Sequence, residues 1–211
     1  MMRLLIVTSV QAEAEAIGPI DDARLVVSGI GRTNAAAATT EAIIRDGPFG
    51  LVICAGVAGV LPAGGLSIAE TIVATACVYF EEGVMTPGGF ENIAAMGFAL
   101  GDFEGNVVPV DPEALSRLGD HFRYGPIATV ATCSGSDEAA REVVQRTGAV
   151  AEAMEGAAVV HAAHRLGVGA LELRTISNTT GNRPQQVWRL DDALAALGPA
   201  VREMARILRG P

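Results

Sequence analysis

The chain of 211 residues contains no lysine; its 15 basic residues are all arginine. That excludes Schiff-base chemistry, which needs a lysine amine, and any P-loop, whose lysine must reach the nucleotide phosphates. Aromatic residues are sparse at 4 %, and histidine and cysteine number 3 each. Cys54, Cys77 and Cys133 are odd in number and far apart. They form neither a disulfide framework nor a CxxC metal or redox motif, and reduced thiols in a cytoplasmic setting fit them best. Positive charge is short as well. The net charge of −9 leaves no basic stripe of the kind that nucleic acid requires. The N-terminus has one early arginine and a short apolar run, but Glu13 and Glu15 follow. It reads as a first buried strand and not as a signal peptide.

What the chain does have is apolar mass, 50 % of its residues. The expectation is a single domain over residues 1–211, large enough to bury about 70 % of the surface its unfolded chain exposes. Residues 49–69 carry no charge and are long enough to span a bilayer, but they contain five glycines and Pro62. A buried strand followed by a glycine-rich turn explains them better than a membrane helix.

Short Val/Ile/Leu runs alternate with helical segments. Strands are expected at 4–8, 25–28, 51–55, 71–79, 127–131, 149–151 and 170–176, several without strict alternation, as when both faces of a sheet are covered. Helices are expected at 33–45, 112–122, 137–146, 155–165 and 191–208. Asp111 before Pro112, and Ser136 before two acidic residues, read as N-caps. The pattern is α/β, with a central, mostly parallel or mixed twisted sheet flanked by helices. Ligands in such folds bind beyond the carboxyl ends of the strands. Those ends deliver Gln11-Ala12-Glu13, Gly56-Val57-Ala58-Gly59, Thr132-Cys133-Ser134-Gly135, Met154-Glu155-Gly156 and Ser177-Asn178.

Several motifs weaken on inspection. Ser28-Gly29-Ile30-Gly31-Arg32 lacks the third glycine of a dinucleotide fingerprint, since position 34 is asparagine, and reads as a tight strand-to-helix turn. His161 and His164 share a helix face but have no further ligand beside them, so they read as structural. His121 stands alone on an amphipathic helix. Glu15 reads as solvated surface. Glu13 is better placed, just past the end of a buried strand. Glu155 at a helix start has a bland reading as dipole-friendly capping, and Asn178 one as a turn residue.

Taken in order, VTSVQAEAEAI, SGIGRTNAAAA, VICAGVAGVL, AEAMEGAAVVHAA and LELRTISNTTG resemble the nucleosidase branch of the purine and uridine phosphorylase superfamily over essentially the whole chain. Met154-Glu155 followed by Arg174-Thr175-Ile176-Ser177-Asn178 is the most specific pair. TPGGF at 86–90, Asn178 after Ile-Ser, and GNRPQQVWRL at 181–190 are similar to the menaquinone-pathway members, which release hypoxanthine from a 5′-modified inosine. The resemblance implies a nucleoside phosphorylase-like fold and dissociative N-glycosidic cleavage. It implies no metal or organic cofactor, and a homo-oligomer.

By the same resemblance Glu13 activates water and Glu155 grips the ribose, with Met154 packed on the sugar. Asn178 meets the departing purine, and the backbone at Gly56–Val57 and Thr132–Ser134, including Cys133, lines base and sugar. Two departures matter. Adenine-specific members carry aspartate where this chain has Asn178, and asparagine suits a 6-oxopurine because it offers one donor and one acceptor group without acting as an acid. They also usually carry serine at Val57.

A phosphorylase would have to hold a phosphate dianion with arginines, for which Arg32 and Arg174 are candidates, but Glu13 would repel phosphate. Strand alternation puts Glu172, Arg174, Ile176 and Asn178 on one face. Arg174 then either pairs with Glu13, orients the water, or forms a buried strand ion pair. An acidic aromatic 5′ arm would need a cation and an apolar wall, for which Arg183, Arg189, Trp188 and Phe90 (across a dimer interface) are candidates. Trp188 is equally readable as core. The remaining alternatives are a methylthioadenosine/adenosylhomocysteine nucleosidase, a purine nucleoside phosphorylase, and a non-catalytic purine-nucleoside sensor.

Overall fold

The computed structural model describes residues 2–210. The first strand, β1 (Leu4–Thr8), is buried at every position, so its apolar run has no solvent face to alternate towards. It pairs in parallel with β2 (Ala23–Val27) on one side and with β3 (Leu51–Val60) on the other. The rest of the main sheet is β4 (Thr71–Tyr79), β7 (Val107–Pro109), β8 (Arg123–Thr129), β9 (Ala151–Ala153) and β10 (Ala170–Thr179); β5 (Gly83–Thr86) and β6 (Gly89–Asn92) form a separate hairpin. The sheet is mixed. Its pairings β3–β10, β10–β4, β4–β8, β8–β9 and β9–β3 close on themselves, with β1 and β2 as an extension and β7 on the outer side of β4.

The helices are α1 (Gln11–Ile17), α2 (Arg32–Asp46), α3 (Pro112–Arg117), α4 (Asp137–Thr147), α5 (Gly156–Arg165) and α6 (Leu190–Arg209). Asp111 and Ser136 cap α3 and α4 as expected, accepting from Ala114 N (2.8 Å) and Ala139 N (3.1 Å). The core is apolar side chains of both sheet faces, with α5 buried along most of its length between the sheet and α2. Among the described residues no helix is long and apolar enough to cross a membrane.

Expectation and structure differ mainly at strand ends. β3 runs on through Gly56 to Val60 where a turn was expected after residue 56, because β10 pairs with it along that whole length. β10 likewise continues to Thr179. The helix expected at 112–122 stops at Arg117, with Gly119 at φ 53° ending the turn, so His121 lies outside it. The short α1, the β5–β6 hairpin and β7 were not expected as elements.

Candidate active site

The site starts from a gap in a hydrogen-bond ladder. One edge of β3 pairs with β1 as far as Cys54 and with β9 only from Gly59. Between them that edge has no strand partner, and buried backbone groups there need another one. Side chains supply it. Val57 N–H donates to Glu13 Oε1 (2.9 Å), and Val57 O accepts from Arg174 Nη1 (3.3 Å).

Glu13 sits in the first turn of α1, which the short β1–α1 connection aims at β3, and it is 2 % exposed. Its Oε2 accepts from Ser9 N (2.9 Å), Ser9 Oγ (2.8 Å) and Val10 N (3.2 Å), reaching back over the helix start as the glutamate of a capping box does. Each carboxylate oxygen offers about two acceptor positions. Three donors crowd Oε2, whereas Oε1, which takes the Val57 N–H alone, keeps one free. That oxygen lies against Gly56, where an added Cβ would fall 2.4 Å from it and 2.7 Å from Arg174 Nη1.

Glu155 is the N-cap residue of α5 and is 5 % exposed. Its Oε1 accepts from Gly31 N (3.0 Å) and its Oε2 from Arg174 Nη2 (3.4 Å). Each oxygen keeps one free position, the pattern that two neighbouring ribose hydroxyls would fill. The Gly29–Gly31 segment therefore is a strand-to-helix turn, and it also orients this carboxylate. Gly31, at φ 92°, adopts the backbone conformation that brings its N–H round.

Arg174 does not pair with Glu13. Its Nε donates to Glu172 Oε1 (2.8 Å) and its Nη2 also reaches Cys54 Sγ (3.3 Å), so it is a buried ion pair on its own strand that also holds Glu155. Arg32 is likewise committed, at 3.2 Å from Glu81 and 2.5 Å from Glu82. Burial pushes the Cys54 and Cys77 thiols well above the usual range, so both remain protonated.

Asn178 lies farther along β10, opposite Gly59 and three residues past Gly56 on β3, which is about 10 Å of strand. An irregularity between Ile176 and Asn178 interrupts the alternation, so Asn178 does not simply continue the face of Arg174. Its Oδ1 accepts from Ser177 Oγ (2.9 Å), and its Nδ2 donates to Thr179 O (3.0 Å). The Thr179 carbonyl thereby fixes which end is nitrogen and leaves one amide proton over.

Beside Asn178, bridged to it at Trp188, the segment 183–188 forms a platform. The Arg183 guanidinium lies 4.7 Å from the Trp188 ring centre. Gln186 Oε1 accepts from Trp188 Nε1 (2.9 Å) and Arg183 Nη1 (3.1 Å), while its Nε2 donates to Ser134 O (2.8 Å). Trp188 is 48 % exposed and is not core. Arg189 pairs with Asp192 (2.7 Å). Cys133 is exposed next to this platform, whereas the Ser134 hydroxyl is spent on Glu152 Oε2 (2.6 Å), a carboxyl raised by burial. Met154 is half-buried before Glu155 and packs against the small apolar cluster built from β8 and α4.

Other features lie elsewhere. A cavity of about 800 Å³, lined by Tyr79, Phe90, Phe103 and Arg146 and also by Asp102 and Asn106, contains none of the carboxylates above. Its Phe90 stacks under Arg146 at 4.3 Å. The buried polar cluster is the better candidate for the reactive site, because it brings Glu13, Glu155 and Arg174 together around β3 with acceptor positions still free. His164 pairs with Asp102 (3.0 Å), and among the described residues no group of three or more His, Cys, Asp or Glu is arranged to hold a metal ion. Sequence reasoning did not anticipate the roles of Ser9, Gly31, Glu172 and Gln186. Of these only Glu172 left a signal, its alternation with Arg174.

A sequence profile described as the phosphorylase superfamily matches residues 16–210. The chain is similar to a futalosine hydrolase from Acidothermus cellulolyticus, at 36 % identity over 94 % of this chain and 91 % of that protein. It is also similar to one from Streptomyces coelicolor, at 34 % identity over 98 % and 97 %. Among solved structures, a Helicobacter pylori 5′-methylthioadenosine/S-adenosyl homocysteine nucleosidase superposes with a TM-score of 0.78 at 20 % identity, over 97 % of both chains. A futalosine hydrolase mutant of the same organism superposes with a TM-score of 0.75 at 20 % identity, over 97 % of this chain and 99 % of that one. At that identity the structural matches establish the fold.

Proposed function

The chain belongs to the phosphorylase superfamily, and from that premise we propose that it hydrolyses the N-glycosidic bond of futalosine, releasing hypoxanthine, as a cytoplasmic step of menaquinone biosynthesis. The observation that carries hydrolysis over phosphorolysis is the commitment of both candidate phosphate ligands. Arg32 and Arg174 each face two carboxylates, and Glu13 adds a further negative group at the same wall. A phosphate dianion needs uncompensated donors. Water does not.

In this reading the C1′–N9 bond breaks with its electron pair going to the purine, and the sugar passes through an oxocarbenium-like state. Water held on the free position of Glu13 Oε1 adds to C1′ and gives its proton to Glu13. Glu155 accepts from the ribose hydroxyls, with Met154 against the sugar and Gly56 and Val57 as the wall. The spare amide proton of Asn178 donates to N7 or O6 of the departing hypoxanthine, whose charge it stabilises without transferring a proton. Solvent supplies that proton. Cys133 borders the base, Ser134 beside it being buried with its N–H on Glu152 and its carbonyl on Gln186, and Arg183 on Trp188 meets the acidic aromatic arm. Arg174 holds Glu155 and Val57 in place. Residues 1–211 act as one nucleoside phosphorylase-like domain in a homo-oligomer, which light scattering after gel filtration checks.

The test is a substrate panel of futalosine, inosine and methylthioadenosine, with and without phosphate, with chromatographic identification of products. Hypoxanthine released from futalosine in phosphate-free buffer is the expected result. Strict phosphate dependence would make the protein a phosphorylase, adenine release alone would make it a methylthioadenosine nucleosidase, and binding without turnover would make it a sensor.

A further inference from the structure

Arg174 is the single buried cation among the described residues, and it holds Glu155, the carboxylate that grips the ribose in the proposed reaction. Geometry demands it, since its nitrogens reach Val57 O, Glu155 and Glu172 at once. Its charge is a problem. A guanidinium stays protonated, and in a poorly solvated interior it repels the positive sugar of an oxocarbenium-like transition state. Something has to cancel it without drawing on Glu155, whose own charge is useful there.

Glu172 has the required position. It is 0 % exposed and sits closer to Arg174, at 2.8 Å, than Glu155 does at 3.4 Å. Its second oxygen accepts from the Cys77 thiol at 3.0 Å, so the pair is closed off from other cations by a neutral group. The carboxylate also rests against Gly156, the first residue of α5, where the positive end of the helix favours an anion. A Cβ at Gly156 would lie 2.0 Å from Glu172 Oε2, so that helix start is shaped around the carboxylate.

We propose that Glu172 is a positioning residue that neutralises Arg174, leaving the charges of Glu13 and Glu155 to act on the cationic sugar. The inference rests on the site being a glycosidic hydrolase. Glu172→Gln keeps the shape and an oxygen for Arg174 but removes the charge. It is expected to lower kcat by about tenfold or more while leaving KM within a few-fold. It should weaken binding of a cationic iminoribitol nucleoside mimic by a similar factor and leave a neutral, non-hydrolysable inosine analogue unaffected.

The double variant E172Q/R174Q, in which both charges leave together, should restore the preference for the cation over the neutral analogue to near the wild-type ratio. If E172Q does not fold, the ratio in the double variant against wild type still decides. Equal loss of both ligands in E172Q, an unchanged kcat, a double variant that fails to regain the ratio, or a wild type without preference for the cation each overturn the inference. The affinity ratio is read independently of futalosine turnover, so failure of the substrate assignment appears separately, in the product assay.

Discussion

Four donors converge on the carboxylate of Glu13, three of them on Oε2. Oε1 keeps one acceptor position, beside Gly56, so in the proposed reaction it would hold a single water. Glu13→Gln is expected to cut kcat by about 10²–10⁴-fold with little change in KM, measured as hypoxanthine release at saturating futalosine. At the other end, Asn178→Asp puts a group that can carry a proton where the present amide only donates a hydrogen bond. We expect the ratio of kcat/KM for methylthioadenosine over futalosine to rise at least about tenfold, read from competing substrates in one tube. A ratio that does not move places base selection elsewhere. Arg183→Ala should raise KM for futalosine by about tenfold and spare inosine, because it removes a cation stacked on Trp188 that only the acidic arm would use.

At the scale of elements, α5 docks by its glycine end. Gly156→Ala forces a methyl group to within 2.0 Å of the Glu172 carboxylate, which Arg174 and Cys77 hold on both oxygens. Overpacking of this kind costs about 1–3 kcal/mol, and urea unfolding of the variant should show a loss at the upper end of that range. The same element shows what the sequence made legible. Buried runs and capping residues located β1, β4, α4 and α5 nearly to the residue, because local chemistry sets them. Strand ends were harder. Whether Gly56 to Val60 is turn or strand depends on β10 lying alongside, a contact between distant segments that no local pattern encodes. The site divided in the same way. Glu13, Glu155 and Asn178 were singled out as candidates by their place after strands and by family likeness, whereas the link from Gly31 to Glu155 and the partners of Arg174 depend on packing.

For the whole molecule, pH is the simplest probe. His161 lies against Tyr79 and Phe103, and burial lowers its pKa below the ordinary histidine value. The unfolded chain therefore takes up this proton more readily than the native one, and stability falls as pH drops through about 6.5. His161→Phe keeps an aromatic ring in place and removes the titration. Its free energy of unfolding, followed by urea titration between pH 7.5 and 5.5, should decline less steeply than that of the wild type. Equal slopes would assign the acid sensitivity to other groups.

The missing stretch of ladder beside Val57 has an evolutionary reading. Glu13 and Arg174 reach Val57 there because a neighbour leaves off early, so an extension of β9 by two residues towards that opening would give Val57 an ordinary backbone mate. Glu13 and the Arg174 contact to Val57 would both be displaced, and the buried Glu172 would lose part of what holds its partner in place. On the proposed mechanism, descendants of this scaffold would lose their chemistry through a lengthened strand while every acidic residue stays in the gene.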